Sequence, residues 1–288
     1  MTIAGAPAAS TPGPTPGSAG VAVSLRDVSA GYGDQVALAD VDLEIARGSL
    51  LAVFGPNGGG KTTLLKLIAG LIRPWGGSIE VLGGAPGAHA RRIAYVPQAE
   101  LVDWSFPVTV WNVAMMGRYP RLGPLHQPGP ADNEIVATSL RRVGMLDRAR
   151  SQIGSLSGGQ RRRAFLARAI AAEGELYLLD EPVTGVDAPT QEDLMALLAD
   201  EAASGRTVIA TTHDLAAASR HFAQVVGVNR RVTASGPAAI LAEPDVLART
   251  YGGHLLVIGE RGVLLDDAHH HDTPSGAERH FHDTGTTP

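Results

Sequence analysis

Apolar and polar residues alternate along Val21-Ala22-Val23-Ser24-Leu25 and again along Val41-Asp42-Leu43-Glu44-Ile45. A period of two sends successive side chains to opposite faces, so both segments read as half-buried strands. Arg47-Gly48 supplies a turn, and the unbroken apolar run Leu50-Leu51-Ala52-Val53-Phe54 reads as a strand buried on both faces. After it the period changes. Leu64, Leu65, Leu67, Ile68 and Leu71 fall on one face of a helix, which Pro74 and Gly76-Gly77 are expected to end. Short strands are predicted over 78–82 and 93–96. Residues 105–172 read as mainly helical, broken by Pro120, Pro124, Pro128 and Pro130. Strand patterns return over 176–179, 207–211 and 225–228, with helices between them. This alternation predicts an α/β architecture, a parallel sheet carrying a helical insertion.

The two ends differ from this pattern. Residues 1–20 are largely Ala, Pro, Gly, Ser and Thr, with little to bury, and are expected to form a disordered tail. Residues 266–288 are polar and His-rich and read as a second flexible tail. The folded domain is therefore placed at 21–265, with its helical subdomain over about 100–172; no internal repeat is visible. At 44% hydrophobic residues, the chain of 288 can build a sizeable core. A net charge of −5 argues against a nucleic-acid partner, which needs a basic face. The absence of cysteine excludes disulfides and thiolate metal sites, and permits a reducing compartment. No run approaches the roughly 18 consecutive apolar residues of a membrane span. The N-terminus also lacks the basic-then-apolar order of a secretory signal. Any membrane association is expected to come through a partner.

The chemistry is concentrated after the buried strand at 50–54. There the chain reads Gly55-Pro56-Asn57-Gly58-Gly59-Gly60-Lys61-Thr62-Thr63, which fits the phosphate-binding pattern G-x-x-x-x-G-K-[ST]. Strand, glycine loop and helix start follow in the required order. Glycines let backbone N–H groups wrap phosphate oxygens without a Cβ in the way. Lys61 is placed to reach β- and γ-phosphates, and the Thr62 hydroxyl to hold magnesium. The chain has only two lysines, Lys61 and Lys66, so a chance match to the pattern is improbable.

A second buried strand, Leu176-Tyr177-Leu178-Leu179, ends in Asp180-Glu181. Ligands of open α/β sheets sit at the carboxyl ends of strands. Asp180 there could orient magnesium and Glu181 could act as general base on an attacking water. Paired acids at a strand end also suit a solvated turn; the upstream phosphate loop favours chemistry. Leu156-Ser157-Gly158-Gly159-Gln160 precedes a helix expected at 161–172. Its Ser157 and glycine N–H groups fit an anion site at a helix N-terminus, and Ser157 equally fits an N-cap. Both readings use the same N–H groups.

In this order and spacing, the motifs resemble the ATP-binding cassette family of ATPases over about residues 21 to 251. The resemblance implies a P-loop NTPase core with a parallel sheet, an N-terminal antiparallel β subdomain and a helical signature subdomain. It implies that loop 55–63 is the Walker A loop and 176–181 the Walker B strand with catalytic Glu181. By the same resemblance Gln98 is the Q-loop residue, Ser157 to Gln160 belong to the signature, and Asp187 is the D-loop residue. His213 is the switch histidine that holds the γ-phosphate, and Tyr32 the aromatic that stacks on adenine. Thr62, Gln98 and Asp180 become the magnesium set, so the implied ligands are ATP and Mg2+. Gly59 and Thr62 stand at positions that commonly vary in the family. The implied engine is a head-to-tail homodimer at the cytoplasmic face of the cell membrane. It would be peripheral, bound to integral-membrane permease subunits and served indirectly by an extracytoplasmic solute-binding protein.

Cargo is written more thinly. Asp103-Trp104-Ser105-Phe106-Pro107-Val108-Thr109-Val110 falls where the family forms the groove for a permease coupling helix. Its wording resembles importers of manganese, zinc or iron, as do Met115-Met116-Gly117-Arg118-Tyr119 and Thr184-Gly185-Val186-Asp187-Ala188. Trp104, Phe106 and Trp111 equally suit packing inside the helical subdomain. His269, His270, His271, His280 and His282 place half of the ten histidines near the C-terminus, where imidazoles could bind transition metal or merely be solvated. An importer ATPase for a siderophore, haem or cobalamin is the alternative. A soluble cassette acting on DNA or ribosomes fits less well, because the chain shows neither a long coiled-coil insert nor a second cassette. The full motif set also stands against a simple P-loop kinase.

Overall fold

The structure, a computed structural model, describes residues 20–98, 107–123, 126–252, 255–257 and 263–265. Strands β1 (Val21–Tyr32) and β2 (Gln35–Ala46) form a long antiparallel hairpin. Both run well past the alternating segments read from the sequence. Bulges explain why: Asp27 and Asp40 have φ of 51° and 48°, and the register shifts between Leu25 and Val28. A bulge breaks the phase of the alternation while pairing continues. Strand β3 (Leu50–Phe54) follows in the predicted place. Helix α1 (Lys61–Ile68) leads to β4 (Gly76–Val81), which adds to the hairpin in the order β2-β1-β4.

Helix α1 stops short of Leu71, which is 59% exposed rather than part of the apolar face. Gly70 ends it in a left-handed conformation, with φ of 73°, before Pro74 or Gly76 is reached. A Cβ on Gly70 would lie 2.5 Å from the Gly87 nitrogen, so only glycine fits there.

The main sheet has six strands. To β3 it adds β5 (Ile93–Val96), β6 (Leu176–Leu179), β7 (Thr207–Thr211), β8 (Gln224–Asn229) and β9 (Arg231–Pro237), in the order β5-β6-β7-β3-β8-β9. The first five in that order are parallel, as expected. Strand β9 is antiparallel to β8 and was not anticipated. It is a half-exposed edge ending in Pro237, where neither strong apolar alternation nor a complete ladder is required. Along β3 the side chains divide between two cores: Leu51 and Val53 join the hairpin and α1, Ala52 and Phe54 the cluster that includes the helical insertion.

That insertion contains α2 (Val110–Met115), α3 (Tyr119–Leu122), α4 (Pro130–Arg142) and α5 (Gly158–Ala171). Pro120 and Pro130 do not break helices; they sit in the first turns of α3 and α4, where a missing N–H costs nothing. Pro124 lies outside the described residues. Helix α6 (Ala188–Ala203) contributes the fully buried Glu201, whose carboxylate pairs with Arg142 of α4 and, at 2.7 Å, with Arg206. Two guanidinium partners offset the desolvation of one carboxylate and fasten the insertion to the sheet layer. The chain ends its described course with α7 (Leu215–His221), α8 (Pro244–Tyr251) and a short hairpin, β10 (Leu255–Val257) with β11 (Val263–Leu265). Among the described residues no helix is long and apolar enough to cross a membrane.

Candidate functional site

The carboxyl ends of β3, β5, β6 and β7 open onto a cleft of about 710 Å3. Loop 55–63 forms one wall, and Tyr32, Gln98, Glu181 and His213 complete it together with Ala37 and Tyr251. Residues distant in sequence but singled out by motif thus meet at one place.

The loop owes its shape to glycine. Gly55, Gly58 and Gly60 have φ of 148°, 73° and 99°. A Cβ on Gly55 would lie 2.0 Å from the Val228 carbonyl oxygen, and one on Gly60 2.6 Å from a Leu38 methyl. The Gly59 nitrogen donates to the Pro56 carbonyl at 3.1 Å, which closes the turn through Asn57 and Gly58. Lys61 is buried and its Nζ donates to the carbonyls of Gly55 and Pro56, both at 2.9 Å. This holds the ammonium across the mouth of the loop. Thr62 and the buried Thr63 occupy the first turn of α1, whose N-terminal N–H groups favour an anion.

Asp180 and Glu181 follow β6, and of the two only Glu181 lines the cleft. Asp180 is 3% exposed. Its Oδ1 accepts from the Thr211 hydroxyl at 2.7 Å, while that same hydroxyl oxygen accepts from the Glu181 backbone N–H at 2.9 Å. Asp180 Oδ2 is buried with no hydrogen-bond partner among the described residues. A buried carboxylate oxygen without a donor is costly unless a cation or ordered water meets it. Glu181 has φ of 50°, a conformation that costs a side-chain-bearing residue free energy and turns its carboxylate into the cleft. His213 Nδ1 lies 3.7 Å from Glu181 Oε1, a charge contact when protonated and longer than a hydrogen bond. Tyr32 is 48% exposed at the far end, and the Lys66 ammonium lies 5.6 Å from its ring centre.

The remaining predicted residues lie elsewhere. Ser157, Gly158, Gly159 and Gln160 do not line this cleft. Helix α5 begins at Gly158, earlier than expected, because Ser157 caps it: its Oγ accepts from the Gln160 N–H at 3.3 Å, and Gln160 Oε1 accepts from the Ser157 N–H at 3.1 Å. Ser157 and Gly158 are exposed. Asp187 is likewise exposed and outside the cleft; it caps α6 by accepting from the Thr190 N–H and hydroxyl, both at 2.9 Å. Those bonds hold its carboxyl below the ordinary carboxylate range. Trp111 packs half-buried against the helical-subdomain core. Trp104, Phe106 and the histidines at 269, 270, 271, 280 and 282 lie outside the described residues. Among the described residues no group of three or more His, Asp or Glu is placed to hold a metal by itself.

Sequence reasoning missed Thr211, Ala37 and Tyr251. Thr211 had a signal, a hydroxyl directly after the apolar run 208–210 of β7. Tyr251 had none, since it arrives from a helix far down the chain.

The comparisons with known proteins follow the same lines. A model of the ABC transporter family matches residues 38–184. The manganese transport system ATP-binding protein MntB of Bacillus subtilis is 41% identical over 247 residues, covering 86% of this chain and 98% of that protein. The zinc transport system ATP-binding protein TroB of Treponema pallidum is 40% identical over 237 residues, 81% of this chain and 88% of that one. Among solved structures, an inward-facing metal-chelate type ABC transporter superposes with a TM-score of 0.70 at 30% identity, over 80% of this chain and 88% of its own. The chain belongs to the ABC transporter family and is an ATP-hydrolysing cassette of it.

Proposed function

We propose that this cassette powers uptake of a transition-metal ion, manganese, zinc or iron, through a separate membrane permease. The observation that carries the nucleotide half of this reading is the meeting of loop 55–63, Gln98, Glu181 and His213 in one cleft. ATP would lie with its phosphates in the loop and at the start of α1, and its adenine against the exposed ring of Tyr32. Thr62, Gln98 and Asp180 supply oxygen donors of the kind Mg2+ prefers, and the unpartnered Asp180 Oδ2 fits that role. When bound, Mg2+ would neutralise charge on the β- and γ-phosphates. Glu181 takes the proton of the attacking water, and the hydroxyl of Thr211 keeps its backbone fixed while it does so. His213, beside Glu181, holds the γ-phosphate.

Ser157 to Gln160 and Asp187 are exposed or half-exposed and away from the cleft, which suits service to the ATP of a second copy packed head-to-tail. Each monomer then offers half of each site, and closing the dimer completes both. The permease docks in a groove of about 390 Å3 between β5 and the helical insertion, lined by Tyr95, Pro97, Met116, Gly117, Pro120 and Arg168 among others. Met116 and Tyr119, 37% and 50% exposed, extend that apolar rim. On this reading the cassette works at the cytoplasmic face, with a solute-binding protein delivering cargo on the other side.

The cargo assignment rests on relatives whose names specify manganese, zinc and chelated iron transport. The metal-chelate type transporter among the structural neighbours favours a chelated metal as the second reading. The test is uptake into proteoliposomes holding the permease, with the cassette and ATP on one side and the solute-binding protein with its cargo on the other. Free manganese or zinc uptake that needs Glu181 supports the first reading. Uptake of a ferric chelate alone supports the second, and ATP hydrolysis without any metal uptake contradicts both.

A further inference from the structure

Tyr251 reaches the nucleotide cleft from the C-terminal helix, and the way α8 is fastened there reaches on to the phosphate loop. Thr250, fully buried, sits beside it. Its hydroxyl donates to the Val246 carbonyl at 2.8 Å and lies 2.7 Å from the Thr233 hydroxyl on β9. The Thr250 carbonyl accepts from Asn229 Nδ2 at 2.9 Å, at the end of β8. The same end of β8 touches the phosphate loop: the Arg230 N–H donates to the Gly59 carbonyl at 2.8 Å, and the Val228 carbonyl occupies the space a Cβ on Gly55 or Gly59 would need. Between loop and helix there is no slack. A Cβ on Gly227 would lie 2.7 Å from Thr233 Oγ1, 2.8 Å from Thr250 Oγ1 and 3.0 Å from the Phe54 ring. The Tyr251 ring centre is 6.5 Å from that of Phe54, the residue immediately before Gly55, with the planes 33° apart.

We infer that Tyr251 is a positioning residue of the nucleotide site, through which the C-terminal helix holds the phosphate loop in its binding shape. The inference rests on the reading of the cleft as the ATP site. Contacts this close transmit displacement instead of absorbing it, because packed interiors have few voids. The ring supports Phe54 from the helix side, and β8 carries the position of Thr250 to Gly55 and Gly59. Ordering the loop is a cost that binding must otherwise meet, so loosening α8 weakens ATP affinity more than it slows the chemical step.

The experiment compares Tyr251→Ala, Tyr251→Phe and Thr250→Val in the full chain. ATP affinity is measured by calorimetry, KM and kcat by steady-state hydrolysis. Tyr251→Ala is expected to raise Kd and KM about tenfold with kcat within about twofold, the split expected when an interaction serves binding and not chemistry. Tyr251→Phe keeps the ring and is expected to recover most of that loss. Thr250→Val leaves the cleft lining and the Asn229 bond to the residue 250 carbonyl in place but removes the hydroxyl contact that ties α8 to Thr233 of β9, and is expected to raise Kd about threefold. Thr250→Val preserves shape, so it also serves as the test should Tyr251→Ala fail to fold. Wild-type affinity in both Tyr251→Ala and Thr250→Val overturns the inference, as does a Tyr251→Phe variant as weak as the alanine. Wild-type protein that does not bind ATP defeats the nucleotide assignment itself, a distinguishable failure.

Discussion

Replacing Thr211 by Val removes one hydroxyl and changes almost nothing in volume, yet that hydroxyl serves two groups at once. It donates to Asp180 Oδ1 at 2.7 Å and accepts from the Glu181 N–H at 2.9 Å. Thr211 is fully buried and Asp180 nearly so, so water cannot replace it freely. A hydrogen bond to a charged group contributes about 1.5–3 kcal/mol, and a buried N–H left without acceptor costs about 1–3 kcal/mol. Allowing for relaxation, the variant should lose about 3 kcal/mol, which for a domain of this size lowers the melting temperature by roughly 6–12 °C. A functional cost accompanies the stability cost. Glu181 is held at φ of 50°, and the Thr211 contact is one of the bonds that keeps it there. Freed from it, the carboxylate relaxes away from the attacking water, and kcat should fall by at least about tenfold. The assays are thermal unfolding by circular dichroism and steady-state hydrolysis with Mg-ATP, with Thr211→Ser as the control that restores both. A Thr211→Val variant that melts within about 1 °C of wild type and turns over within about twofold would refute the two-bond account.

Asp180→Asn should abolish magnesium-dependent hydrolysis while ATP still binds in the presence of a chelator; retained magnesium-dependent turnover would remove Asp180 from the metal set. Ser157→Arg should stop hydrolysis without weakening nucleotide binding to the monomer. Mixing it with Lys61→Ala should restore part of the rate, because a heterodimer regains one complete site; no recovery contradicts service in trans. Glu175 is held below its ordinary value of 4.5 first by its hydrogen bond from Arg92, whose two contacts lie at 2.6 and 2.5 Å, and then by Arg47. A carboxyl with a depressed folded value contributes stability that is full above the unfolded value and is lost as pH falls through the folded one. Glu175→Gln should therefore lower the melting temperature at pH 7 and flatten its decline below about pH 4.5, modestly because the group is half exposed; an unchanged acid profile would show that the pair contributes nothing.

Local chemistry was legible in the sequence, and long-range support was not. Strand β3, the glycine loop and α1 are contiguous, so their pattern carried the whole phosphate-binding wall. Asp180-Glu181 was legible because a buried strand announces its own end. The hairpin was only half visible, since bulges at Asp27 and Asp40 break the alternation that marks strands. Leu71 matched helical spacing but lies beyond the left-handed Gly70. Thr211 and Tyr251 act through partners 30 and 197 residues away, Glu181 and Phe54, and no local period encodes such contacts. Of the two readings of the signature, the cap is the one formed within the chain: Ser157 and Gln160 make the capping box, with Ser157 and Gly158 exposed at the start of α5.

Glu181→Gln bears most directly on the claim that this chain is an ATP-driven engine completed by dimerisation. The amide keeps the size and hydrogen-bonding reach of the carboxylate but cannot take the proton of water, so hydrolysis should fall by about a hundredfold or more. ATP should still bind, and sedimentation with Mg-ATP should show a stable dimer that dissociates when nucleotide is removed. Near-wild-type hydrolysis by this variant, or an ATP-loaded protein that stays monomeric, would contradict the account.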